Sequence, residues 1–317
     1  GVQTCALPIY ASCLLSFLPY CILESVRSMK ASLHCSEHLA DEKEETCPTC
    51  VLFFNPTKSS SLLGSVNEFH DIQSSYLPNP SYALTVQNCQ TFCRYREHTY
   101  MWMLGICRDK GSNPCVAYAG MNYFDRYLSK RVISKDKLEL LSWLCIHIAS
   151  SLYDNRLNHL SFKEICSVIS DTYSMQTAKS FLYDLLCQLE FELNPYSPYL
   201  DGAALLEETH NSSLYPNLRS LLNGVCMKYD SLQIPPRSIT YISIALAWTF
   251  SYPSRPIPTS LKVCERVAMA DVERLTCLVK ELFPMMSNTC EEVMKLYESK
   301  GKPTIVSPTS IVIDNGQ

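Results

Sequence analysis

Glycine is scarce in this chain, with nine residues in 317. A β fold rich in tight turns draws on glycine at its reversals, whereas abundant Leu, Met and Ala favours helices. Charge of one sign is lacking too. The formal net charge of -4 and the absence of a Lys/Arg cluster give no electrostatic footprint for nucleic acid or an anionic membrane. There is no Gly-rich phosphate loop. The seven histidines are scattered, and no Ser/His/Asp or Cys/His spacing pairs a nucleophile with a base. These absences predict a protein that is not an enzyme and needs no cofactor. The apolar stretch from Tyr10 to Leu23 contains Pro19 and is too short to span a bilayer.

What is present is a globular composition, 47% hydrophobic and 18% charged, in a chain long enough for two domains. Seventeen cysteines are many, but most lie in apolar helical patterns (Cys107, Cys145, Cys166, Cys187, Cys226), where a free thiol acts as a small hydrophobe. An odd number in a long chain is unlike a disulfide-stapled scaffold and is read as the sign of a reducing compartment. Cys47-Pro-Thr-Cys50 is a single C-x-x-C, half of what a structural zinc site needs. His34, Cys35 and His38 are near enough in sequence to complete a set, but the pair is read as reduced thiols in a tail, and no metal is expected.

The first nine residues, GVQTCALPI, resemble a translated sequencing adapter, and Met29 is the first candidate start. Residues 1–28 are therefore expected to be adapter plus mistranslated leader. From 29 to 87 the sequence is mixed, with an acidic run at Asp41–Glu45, serines at Ser59–Ser61 and a Pro-Asn-Pro turn at Pro78–Pro80. It reads as a flexible tail with at most one short helix.

Helical periodicity then takes over. Segments are expected at Gln90–Asp109, from Pro114 to Ser129, from Ser134 onward through Ile148, after Ser161, and after Ser174 until Asn194-Pro195 stops the chain. Asn113-Pro114 is an N-cap followed by proline at the first helical position. Ser161-Phe-Lys-Glu164 is a capping box, with Leu160 and Ile165 placed for a hydrophobic staple. A second series is expected at Pro198–Glu207, Asn217–Tyr229, Arg237–Phe250, Ser260–Ala268 and Asp271–Leu282, followed by an amphipathic piece around Glu291–Tyr297. The third of these is apolar nearly all round and should be central. The fold class is all-α: two tandem five-helix bundles, at 88–195 and 196–287, with tails at both ends, the last being 288–317.

Two pieces of sequence carry a family resemblance. One is Arg96-x5-Trp102-Met103-Leu104-x-Ile106-Cys107, and the other is Met121-Asn-Tyr-Phe-Asp-Arg-Tyr-Leu-Ser129. Together they resemble the cyclin box, and their wording is most similar to D-type cyclins. Weaker similarity continues through Asp171-Thr-Tyr173 and Leu189–Leu193. The resemblance implies a regulatory subunit that binds and activates a cyclin-dependent protein kinase at the G1/S transition, in nucleus and cytoplasm, with no nucleic acid or membrane as partner. It implies that Arg96 and Asp125 pair in the interior and that Trp102 belongs to a substrate-docking patch. Leu33-His-Cys35-Ser-Glu37 is an L-x-C-x-E motif placed where D-type cyclins bind the retinoblastoma protein, its Leu and Cys suited to apolar pockets and its Glu to positive or amide donors.

The sequence also departs from the family. The resemblance implies a Lys near the end of the third helix and a Glu in the fifth at the kinase interface, and alignment puts Ser151 and Leu182 there. A one-turn slip would bring Lys179 or Asp184 instead. In the docking patch, Tyr95, His98 and Thr99 stand where the family has Met and aliphatic residues, which predicts weak binding of apolar docking peptides. The lost charges keep a second reading open, a cyclin-fold scaffold that binds partners without activating a kinase. Ser307-Pro308 is a candidate proline-directed phosphorylation site.

Overall fold

A computed structural model describes residues 76–154, 159–253, 255–261 and 267–301. Leu33, Cys35, Glu37, the Cys47/Cys50 pair and Ser307 lie outside the described residues, as does everything assigned to 1–28. Within the described residues the structure is helical throughout, with no strand.

Five helices form the first set: α1 (Thr91–Lys110), α2 (Pro114–Leu128), α3 (Leu138–Tyr153), α4 (Phe162–Ile169) and α5 (Met175–Gln188). Five more form the second: α6 (Pro198–Glu208), α7 (Tyr215–Met227), α8 (Pro236–Ser251), α9 (Met269–Leu282) and α10 (Ser287–Gly301). Local chemistry explains most of their boundaries. Gly111, at φ 66°, ends α1, and its neighbour Ser112 donates back to the carbonyl of Cys107 at 2.8 Å. Asn113 Oδ1 accepts from the Cys115 amide and Pro114 opens α2. The capping box of α4 is formed in both directions: the Glu164 amide donates to Ser161 Oγ at 3.2 Å and the Ser161 amide to Glu164 Oε2 at 2.8 Å. Leu160 and Ile165 are both buried beneath it.

The α3 helix is packed on nearly every side, by α1, α2, α4 and α5, and α8 plays the same part among α6, α7, α9 and α10. The α2 and α3 helices pack closely along their length. A Cβ on Gly120 would stand 3.4 Å from the Ile146 Cα and 3.3 Å from the Met103 sulfur, so the two backbones leave room for little beyond a methyl group there.

Four expectations are corrected. The α5 helix ends at Gln188, well before Asn194-Pro195, because Glu190 and Phe191 both turn to φ 57° and their amides return to the carbonyls of Cys187 and Leu186. The third helix begins with a 3-10 turn, Lys135–Lys137, and is α-helical only from Leu138. No helix fills Ser260–Ala268 among its described positions, which hold a short 3-10 turn ending at Leu261 and irregular chain at 267–268. The fifth helix of the second set is instead α10, reaching past the boundary at 287, because Cys290, Val293 and Tyr297 form a buried stripe at helical spacing in an otherwise polar stretch. Nor does the part of the proposed tail from 76 to 87 stand apart: Tyr82–Thr85 is a helical turn whose Tyr82 and Ala83 are fully buried.

Candidate functional site

Asp125 sits late on α2, on a helix buried around most of its circumference, and Arg96 reaches it from α1. Arg96 Nε lies 3.0 Å from Asp125 Oδ1 and 3.1 Å from Oδ2. The two side chains are only 4% and 2% exposed. Tyr82 donates its hydroxyl to the same Oδ1 at 2.9 Å. The other arm of the guanidinium leaves the first set altogether: Nη1 donates to the carbonyls of Cys226, Met227 and Lys228 at 3.0, 2.8 and 3.1 Å. These are the last carbonyls of α7, which have no partner within their own helix, and a cation is the complement their dipoles favour.

Burial, the largest single influence, would lower the Arg96 pKa, but the Asp125 charge, the nearby Tyr82 and the hydrogen bond to Asp125 together outweigh it and hold the guanidinium above its ordinary value. Burial raises the Asp125 carboxyl, against the opposing pull of the Arg96 charge and of the Tyr82 and Arg96 hydrogen bonds. An always-charged guanidinium held through Nε and Nη1 binds and braces; it does not transfer protons.

Arg126, the next residue along α2, works in a similar way on another helix. Its Nη1 donates to the Glu192 carbonyl at 2.7 Å and its Nη2 to that of Leu189 at 3.0 Å, closing the end of α5, while its guanidinium lies over the Tyr76 ring at 5.2 Å. Periodicity could not reveal this role; the only signal was an Arg embedded in the Met121–Ser129 motif. Tyr82 was missed for the same kind of reason, since it lies in a stretch composed like a tail.

Trp102, on α1, is half-buried and meets Trp143 of α3 edge to face, with ring centroids 4.6 Å apart. Tyr95 lies edge-on to Phe92, and Lys135 Nζ sits 5.6 Å from its ring centroid. His98 is exposed on this side of α1. Thr99 is buried, so it belongs to the core and does not line the docking face.

Ser151, at the end of α3, is half-buried and turns its hydroxyl back to the His147 carbonyl at 2.8 Å. Leu182, on α5, is half-buried against the core. The two helices pack on each other, but neither position carries a charge. Of the slipped alternatives, Asp184 is taken up by the Tyr127 hydroxyl at 2.8 Å, while Lys179 is exposed.

Between the two sets lies a cleft of about 580 Å³, bordered by Asn113, Asp154, Tyr199 and Tyr215 among others. The ten described cysteines are all free. Burial pushes the thiols of Cys107, Cys115 and Cys226 up to about 12, which makes them packing groups and poor nucleophiles at neutral pH. Among the described residues no cluster of three His, Cys, Asp or Glu could hold a metal, and no helix is long and apolar enough to cross a membrane.

Residues 65–194 match the family described as "Cyclin, N-terminal domain". Cyclin-D of Ostreococcus tauri is 27% identical over 106 residues, 33% of this chain and 28% of that protein. G1/S-specific cyclin-D1 of Danio rerio is 34% identical over 80 residues, 25% of this chain and 27% of that protein. G1/S-specific cyclin-D3 of Homo sapiens is 28% identical over 181 residues, 56% of this chain and 61% of that protein. The chain thus spans under a third of the Ostreococcus and Danio relatives. The solved structure of a viral cyclin from herpesvirus saimiri superposes with a TM-score of 0.44 at 15% identity, over 64% of this chain and 84% of that one. The Arg96–Asp125 clamp lies inside the matched region, so the chain carries a cyclin N-terminal domain over residues 65–194 and resembles the D-type cyclins.

Proposed function

We propose that this protein is a non-catalytic regulatory subunit that binds and activates a cyclin-dependent protein kinase, in the manner of a D-type cyclin acting at the G1/S transition. The observation that carries the reading is the match of residues 65–194 to the cyclin N-terminal domain. A kinase could touch α3 only near its end, at Ser151, Leu152 and Tyr153, because the rest of that helix is buried almost completely. On α5, the exposed Met175, Lys179 and Tyr183 share one helical face with the half-buried Leu182 and offer a mixed apolar and basic surface. Packing there would favour the kinase conformation in which its own Lys–Glu pair and activation loop are set for phosphoryl transfer. The subunit supplies no reacting group; it shifts an equilibrium. The substrate we assign is a retinoblastoma-type protein, held through Leu33, Cys35 and Glu37, with action in nucleus and cytoplasm.

The second reading is a cyclin-fold scaffold that binds partners without activating a kinase. The hydroxyl at Ser151 and the alkyl chain at Leu182, where the resemblance implies charges, favour it. A pull-down of residues 29–317 against a panel of cyclin-dependent kinases, followed by a kinase assay on a retinoblastoma fragment, separates the two. Binding with activity that drops in a Cys35→Ala, Glu37→Ala variant supports the activator. Binding without activity moves the assignment to the scaffold, and failure to bind any kinase removes the kinase partnership.

A further inference from the structure

Basic residues three positions before a serine or threonine recur along this chain. Among the described residues, Thr99, Ser129, Ser134, Ser231 and Thr240 each follow an Arg or Lys at that spacing (Arg96, Arg126, Arg131, Lys228 and Arg237). Tertiary structure removes four of them. Thr99, Ser231 and Thr240 are buried. Ser129 donates its hydroxyl to the Asp125 carbonyl at 2.7 Å, and its basic neighbour Arg126 is locked beneath α5. What remains is Lys130-Arg131-Val132-Ile133-Ser134, the link between α2 and the start of the third helix.

We propose that Ser134 is a phosphorylation site for a serine/threonine kinase that selects basic residues ahead of its target. Arg131, Val132 and Ser134 are all exposed, Val132 at 73%. The Ser134 backbone is extended at ψ 147°, and its hydroxyl caps nothing. The link is braced from below. Gln87 Nε2 donates to the carbonyls of Leu128 and Arg131, both at 2.7 Å, and Gln87 Oε1 accepts from the Ile133 amide. Ile133 is the buried anchor, and the basic residue and the hydroxyl are left outward on either side of it. Beyond Ser134 comes the single 3-10 turn Lys135–Lys137, with no side-chain cap and one tertiary hydrogen bond, from the Tyr173 hydroxyl to the Asp136 carbonyl, so a kinase cleft takes the extended segment up to Ser134 and opens at most this one turn.

The chemistry balances with ATP as donor. Ser134 Oγ bonds to the γ-phosphorus, the bond to the β,γ-bridging oxygen breaks, ADP leaves, and the hydroxyl proton passes to the kinase's base. The phosphate then stands at the entrance to the third helix with Lys135 and Lys137 following it, where added negative charge is favourable. Lys135 now rests over the Tyr95 ring, and a phosphate on the preceding residue competes for that ammonium. Phosphorylation thus couples this link to the α1 face that also carries Trp102. The inference does not depend on the kinase partnership proposed above.

The test uses the full chain, ATP and purified calmodulin-dependent protein kinase, with site mapping by peptide mass spectrometry. A synthetic peptide covering 128–138 serves as control. The expected result is phosphate on Ser134 in the folded protein, absent in Ser134→Ala and slowed roughly tenfold in Arg131→Ala, the worth of about one charge-assisted hydrogen bond. Both substitutions are at exposed positions and leave the core intact. A peptide that is modified while the protein is not would overturn the claim that the fold presents this serine. Modification of neither, or modification indifferent to Arg131→Ala, would overturn the site itself.

Discussion

Arg96 Nη1 lies 2.8 Å from the carbonyl oxygen of Met227, so a residue of α1 closes the end of α7 while its Nε holds Asp125 in its own helical set. One side chain therefore belongs to both halves of the molecule. The first consequence is thermodynamic. Asp125→Ala leaves the Arg96 charge buried without its counter-ion and should cost roughly 3–5 kcal/mol. Arg96→Ala additionally strips three helix-end carbonyls, so the two sets should lose their common transition. Urea unfolding followed by tryptophan fluorescence and by far-UV dichroism reads both effects. Coincident curves for Arg96→Ala would show that the clamp does not join the two sets.

Gly120 should tolerate little beyond a methyl group. A Cβ there already meets the Met103 sulfur at 3.3 Å and the Ile146 Cα at 3.4 Å, and the latter is backbone and cannot swing aside for branches added beyond it. Gly120→Val should destabilise by about 1–3 kcal/mol through overpacking of α2 against α3. The check is a denaturation midpoint, and a shift toward higher stability would mean that α3 can slide.

His147 predicts an acid sensitivity whose sign can be worked out. Its Nδ1 lies 2.6 Å from the Leu160 carbonyl and its Nε2 is buried without a partner, with the His159 and Phe162 rings packed alongside. Burial pulls its pKa down to about 3, against the opposing hydrogen bond to the Leu160 carbonyl and with smaller contributions from His159, which lowers it, and Glu164, which raises it. Unfolded, the ring titrates near its ordinary value of about 6.5. Between those two values the unfolded chain binds a proton that the folded chain refuses, so stability falls as pH drops below about 6.5. The slope is roughly 1.4 kcal/mol per pH unit, or about 2 kcal/mol lost by pH 5, and it levels off below the folded value. Urea midpoints at pH 7 and pH 5 for the parent and His147→Gln make the comparison. A pH dependence of equal size in the variant would assign it to other groups, His159 first among them.

Ser151 and Leu182 offer a gain-of-function test. Ser151→Lys with Leu182→Glu places charges where the cyclin resemblance implies them, on half-exposed positions of helices already in contact. Affinity for a cyclin-dependent kinase should rise by about tenfold or more, with the double variant exceeding either single one, since charge complementarity at an interface acts in pairs. Calorimetry or surface binding measures it. An unchanged Kd would mean that the partner engages another face.

How much of this could be read beforehand follows the range of the interactions. The α4 cap was legible to the residue because Ser161 and Glu164 are three positions apart and cap each other's backbone. The α1–α2 boundary was legible because Gly111 and Asn113-Pro114 act on their own neighbours. The end of α5 was not, since Arg126 decides it from another helix, and α10 was underestimated because its buried stripe is only Cys290, Val293 and Tyr297. Arg96 and Asp125 could be paired through the family resemblance, but nothing in their spacing announced the bonds to Cys226, Met227 and Lys228, some 130 residues away.

The sequence by itself determined the helices, most of their caps and the class of fold, because helical periodicity and capping act within a few residues of chain. Only the tertiary structure decided which polar groups are spent on holding the molecule together and which remain available. Thr99, Ser129, Ser134, Ser231 and Thr240 look alike as text, yet burial or a hydrogen bond to a helix carbonyl removes all but Ser134. A polar side chain is free to meet a partner only where no part of its own fold has already satisfied or covered it.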